Sequence, residues 1–264
     1  MRVLIVHDRY LQRGGEDAVF EVEVDLLRGN GYGVEIYEEN NEKVEGLGVV
    51  RTAARSIFSL ETYRTVRALL RRKQIDVVHV HNFFPLISPS VYYAARKENV
   101  PVVQTLHNYR LMCPVGTFNR DGRVCEDCLN KFFPWPGVVN RCYRDSRAAT
   151  LTVGAMTTIN SVIGTWRNKV DAYIVLTEFM RRKFIEGGLP ADKLHVKPNF
   201  LDPDPQPGTG GGNFALFAGR LSKEKGIATL LKAWERVGDR MPLKIAGTGP
   251  LEPMVREAAA RDEV

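Results

Sequence analysis

A chain of 264 residues, 44% apolar and 26% charged, can bury a sizeable core and has room for two domains. The N-terminus has too short an apolar run for a signal-peptide core, and no stretch reaches the length of a membrane span, so the expected location is cytoplasmic, at most peripheral at the inner face of a membrane. The net charge of +6, from 37 Lys and Arg against 31 Asp and Glu, is a modest excess that fits an anionic substrate or an anionic membrane surface. No nucleic-acid motif accompanies it, so no nucleic-acid partner is expected.

In chain order, residues 3–7 read as a strand, 17–28 as a helix closed by "GNGYG", and 34–37 as a second strand. A helical region spans 51–73, with seven basic side chains and one acid, Glu61. Arg64, Arg67 and Arg71 share one of its faces, which reads either as solvated or as a contact for anionic lipid. Then come "DVVHV", a helix over 90–98, the strand "PVVQTL", the strand "AYIVL", a helix over 178–186 and "LHVKP". The alternation predicts parallel strands with crossover helices, an α/β doubly wound fold. "LDPDPQPGTGGG", with three prolines and four glycines, reads as a linker over 201–212 between a domain at 1–200 and one at 213–264. After it come a strand, a helix, the strand "PLKIAG" and a helix from about residue 252, too little sheet for a complete domain.

Two loops have the character of phosphate cradles. Gly14 and Gly15 follow the first strand and precede the first helix, where glycines admit a phosphate to the backbone and free N–H groups meet it; a turn that merely needs two glycines explains the pair equally well. "FAGRLSKEKGI" places Arg220 and Lys225 between a strand and a helix start, where exposed cations oppose the helix dipole at a cost of about 0.3–1 kcal/mol each unless something anionic is bound. Neither loop is a P-loop or a dinucleotide fingerprint, and "GTGP" also lacks the third glycine.

His107 follows the strand "VVQTL" and so falls near the ligand cleft, although a lone histidine is more often a hydrogen-bonded structural residue. His79 and His81 share a strand face; His79 reads as packed and His81 as able to reach a substrate. Cys113, Cys125, Cys128 and Cys142 are the only cysteines and lie in one window of a segment, 110–145, with no convincing helix or strand. A loop that long needs fastening, and a closed structural zinc site is the expected device, ahead of free thiols and of disulfides.

Together these stretches resemble family 4 glycosyltransferases of the GT-B fold: "VHDRYLQRGGEDAV", "DVVHVHNFFP", "VVQTLHN", "VLTEFMRRKFIEGGL", "VKPNFLD", "FAGRLSKEKGI" and "KIAGTGP" stand in the family's order along nearly the whole chain. The resemblance implies transfer of a sugar from a nucleotide diphosphate sugar to a saccharide or lipid-linked acceptor, with retention at the anomeric carbon and no catalytic metal. It implies that Arg220 and Lys225 hold the diphosphate, that Gly14 and Gly15 close over it, that Gly249 belongs to the donor-binding loops and that His107 contacts the donor sugar. The family's later pair of donor-binding glutamates has no counterpart after Lys225, since Glu252, Glu257 and Glu263 stand in the wrong context; the chain is therefore expected to be an inactive, C-terminally truncated fragment. The alternatives are a sugar-nucleotide epimerase of the same fold and a non-catalytic scaffold derived from a transferase.

Overall fold

The computed structural model describes residues 1–260 apart from residues 12 and 209; Glu263, named above, lies outside them. The chain forms two compact units, Met1–Pro203 and Asp204–Val264.

In the first unit β1 (Arg2–Arg9) leads to α1 (Gly15–Gly29), β2 (Gly33–Asn40), α2 (Lys43–Leu47), α3 (Val49–Ile57), α4 (Leu60–Lys73) and β3 (Val77–Val80). α5 (Ser90–Lys97) and β4 (Val102–Leu106) follow, and then the cysteine-bearing segment with β5 (Asn119–Arg120), β6 (Arg123–Val124) and α6 (Trp135–Val139). α7 (Arg147–Val162), α8 (Thr165–Asn168), β7 (Ala172–Val175), α9 (Glu178–Glu186) and β8 (Leu194–Val196) complete the unit. Six strands pair in parallel in the order β2-β1-β3-β4-β7-β8. Val3, Leu4, Ile5 and Val6 of β1 are all buried, as expected of a strand covered on both faces. The strand order reverses between β1 and β3, and the crevice beyond the carboxyl ends of those two strands is where such a sheet binds its ligand.

Several elements depart from the sequence reading. The helical region at 51–73 is broken, because Ser59 adopts an extended backbone and its hydroxyl accepts the Thr62 N–H at 3.1 Å, capping α4. Much of its basic charge is matched within the chain: Arg67 and Arg71 each meet Glu98 at 2.7 Å, Lys73 meets Glu35 at 2.8 Å, and Arg55 lies between Glu39 and Glu61. α7 was not anticipated. Its run of threonines and valines has low helix propensity, but Thr150, Thr152 and Thr157 satisfy their hydroxyls on the carbonyls of residues four earlier. The segment 110–145, expected to lack regular structure, contains the β5–β6 hairpin and α6.

In the second unit β9 (Ala215–Ala218) pairs in parallel with β10 (Leu243–Ala246). α10 (Ile227–Val237) and α11 (Glu252–Ala260) flank them, and Leu221, Ile227 and Leu231 form the buried centre with Phe217, Ile245 and Leu251 against it. No helix among the described residues is long and apolar enough to cross a membrane.

Candidate functional site

The first unit assembles its site at the β1/β3 switch point. Gly14 is the N-cap of α1 with φ −130°, and its N–H donates to Asp17 Oδ2 at 2.8 Å. A Cβ on Gly14 would meet only Asp17 Oδ2, at 3.9 Å, and one on Gly15 would meet nothing within 4 Å. Neither glycine is required by a left-handed backbone or by a close contact with the described residues, so the turn as described does not explain the pair.

Asp17 faces inward: its Oδ1 lies 2.9 Å from His7 Nε2, both side chains being almost fully buried. Glu16, beside it, accepts the Tyr10 hydroxyl and the Asn108 amide, each at 2.9 Å. The second bond ties the loop after β4 to the first turn of α1, and so brings His107 and the glycine pair into one neighbourhood. His107 stacks on His81 with ring centroids 5.3 Å apart, and His107 Nε2 lies 3.1 Å from His81 Nδ1. Burial lowers the pKa of both imidazoles, that of His81 the further, so both are neutral at pH 7. A cavity of about 30 Å³, lined by His81, Gln104, Thr105, His107 and Asn108 among others, opens beside the pair and has room for a water molecule. His81, expected within reach of a substrate, is only 3% exposed; His107 stands between burial and exposure.

Sequence reasoning missed Asp8. It ends the buried part of β1, accepts the Leu86 N–H at 2.7 Å through Oδ2, and leaves Oδ1 without a hydrogen-bond partner among the described residues. Burial pushes its carboxyl up to about 7, against the lowering effect of the Leu86 and Ile87 amides. The only sequence signal was a carboxylate at the end of an apolar strand.

In the second unit Gly219 N–H donates to Ala246 O, Leu221 N–H to Thr248 O and Leu251 N–H to Leu221 O, each at 2.9 Å. The "GRLSKEKG" and "GTGP" loops therefore lie backbone to backbone. A Cβ on Gly247 would overlap the Gly219 carbonyl oxygen, and one on Gly249 the Leu221 carbonyl oxygen. Lys225 closes a short 3₁₀ turn, and Gly226, at φ +73°, caps α10. Glu224 lies close to both cations. Partial burial would raise its pKa, but the Ser222 hydroxyl at 2.6 Å and the charges of Arg220 and Lys225 hold it below the ordinary carboxylate range.

The four cysteines do not close a tetrahedral shell. Cys113 and Cys128 line one cavity of about 100 Å³, yet no three of the sulfurs stand among the metal-capable groups whose ligand atoms lie within 4.8 Å of one another. All four thiols are free. Burial pushes the Cys128 thiol up to about 11, with the other three cysteines adding to the shift, and its S–H donates to the Pro134 carbonyl at 3.9 Å. As placed, the four sulfurs do not form the expected zinc shell.

The doubly wound parallel sheet and the loops at its carboxyl edge define a Rossmann-like α/β protein. The sequence model of Glycosyltransferase Family 4 matches residues 18–205, and the chain belongs to that family. Among solved structures it is similar to Anabaena HepE in complex with UDP and glucose, with a TM-score of 0.54 and 14% identity over 99% of this chain and 65% of that one. It is similar to the lipopolysaccharide outer core galactosyltransferase WaaB in its apo form, with a TM-score of 0.52 and 12% identity over 99% of this chain and 65% of that one. It is also similar to MurG of Acinetobacter baumannii, with a TM-score of 0.50 and 11% identity over 100% of this chain and 63% of that one. These likenesses define the fold, the Rossmann-like α/β type of the GT-B glycosyltransferases. The chain thus spans about two thirds of the length of the structures it matches. No curated protein matches its sequence.

Proposed function

We propose that this protein serves the transfer of a sugar, with retention, from a nucleotide diphosphate sugar to a saccharide or lipid-linked acceptor. The observation that carries the reading is the Gly14–Gly15 pair: no contact among the described residues needs these glycines, and they stand at a helix N-terminus held beside His107 by the Asn108–Glu16 bond. Glycine there lets a diphosphate or its sugar approach the free N–H groups of α1.

In this reading the neutral His107 contacts the donor sugar. Arg220 forks onto phosphate oxygens and Lys225 adds a point charge, so that negative charge developing on the departing diphosphate is stabilised as the glycosidic bond breaks. The acceptor hydroxyl attacks from the face the diphosphate leaves, and a phosphate oxygen takes its proton. The nucleotide complexes of HepE support a uridine diphosphate sugar as the first donor to test.

Calorimetric titration of the full chain with UDP and UDP-glucose tests the reading. Binding that weakens at least tenfold in Arg220→Ala/Lys225→Ala supports it. Binding that the double variant leaves unchanged, or that no member of a nucleotide-sugar panel produces, removes it.

A further inference from the structure

Beneath the glycine loop lies a second cluster that the transfer chemistry does not use. Glu23 on α1, His79 on β3 and His81 immediately after it are all buried. His79 Nδ1 is 3.5 Å from Glu23 Oε1, His81 Nε2 is 3.7 Å from Glu23 Oε2, and the three ligand atoms lie within 4.8 Å of one another. A tetrahedral shell with metal bonds of about 2.0–2.1 Å spaces its ligand atoms about 3.3 Å apart.

The outward-facing ring nitrogens are already engaged. His79 Nε2 pairs with Thr105 Oγ1 at 2.8 Å, and His81 Nδ1 with His107 Nε2 at 3.1 Å. Such partners fix which nitrogen of a ligating imidazole faces the metal. His81 Nε2, by contrast, is buried and has no hydrogen-bond partner among the described residues. An unpartnered buried polar atom is costly, and here it points toward the carboxylate at a distance too long for a hydrogen bond.

We propose that Glu23, His79 and His81 bind a divalent transition-metal ion of the zinc class, in a site that joins α1 to β3. Two imidazoles and one carboxylate match the ligand preferences of zinc and cobalt and leave a fourth position for water. Lys197 Nζ lies 3.3 Å from Glu23 Oε2, so one carboxylate oxygen keeps the ammonium while Oε1 faces the metal. The ammonium also weakens the site by charge repulsion. Lys197 is partly exposed, and its removal exchanges a competing cation for the metal.

The test is a cobalt titration of the chelator-treated full chain, followed by visible absorption and calorimetry. One equivalent binds, giving the visible bands of a low-coordinate cobalt ion without the near-ultraviolet sulfur-to-metal band. Glu23→Gln and His79→Gln each weaken binding at least tenfold while keeping the wild-type circular dichroism. Lys197→Met tightens it several-fold, and Cys128→Ser leaves it unchanged. The wild-type and Lys197→Met spectra stand as evidence even if the ligand variants fail to fold. The proposal is overturned if neither the wild type nor Lys197→Met binds cobalt, or if binding carries the sulfur band and disappears in Cys128→Ser. No nucleotide enters the assay, so its outcome is separate from that of the transfer reading.

Discussion

Asn108 donates from its side-chain amide to Glu16 Oε1 at 2.9 Å, joining residues ninety-two positions apart. That bond holds the loop after β4 against the first turn of α1. Asn108→Ala removes a tie between His107's loop and Glu16's turn, and it costs about 1.5–3 kcal/mol of stability, as expected for a hydrogen bond to a charged group. Urea denaturation measures the loss, and a parallel UDP-glucose titration shows weakened binding. A variant as stable as the wild type means that the bond is not formed in solution.

Gly15→Ala separates local need from ligand need. The added methyl meets nothing within 4 Å, and alanine favours a helix over glycine by up to about 1 kcal/mol, so thermal stability stays level or rises. Nucleotide-sugar affinity falls at least tenfold, because the methyl occupies the approach to the α1 amides. Unchanged affinity would count directly against the donor role of this loop.

Gly249→Ala behaves in the opposite way. Its Cβ runs into the Leu221 carbonyl oxygen, so the two loops of the second unit must separate. The expected loss is about 3 kcal/mol, read as earlier proteolysis or faster hydrogen exchange confined to residues of that unit.

Asp8 makes stability depend on pH. Its folded pKa, about 7, lies above its ordinary value of 3.8, so the unfolded chain releases this proton at lower pH than the folded one. The resulting penalty is absent below about pH 4, grows as pH rises through the interval, and is complete above about 7. Asp8→Asn keeps an oxygen to accept the Leu86 N–H and removes the buried charge. It stabilises the protein by a few kcal/mol, on the order of magnitude of the shift, at pH 8 and by little at pH 4. Melting curves at the two pH values check this, and equal shifts at both would refute it.

Residue order alone determined the parallel sheet and the placing of both glycine-bearing loops between a strand and a helix, because strand and helix periodicities and Gly/Pro punctuation are local properties. "VLIV" in β1 needs no partner to read as a strand buried on both faces. α7 escaped because its threonines look β-like until their hydroxyls find carbonyls one turn back. The Glu23–His79–His81 cluster, the His81–His107 stack and the raised pKa of Asp8 belong to tertiary structure. Each depends on the burial and distance of side chains far apart in the chain, and burial sets both the charge state of a titratable group and the cost of leaving it unpaired. The cysteine quartet shows the same division: spacing brought four thiols into one segment, while the packing around Pro134 and Gly137 decided where the Cys128 sulfur lies.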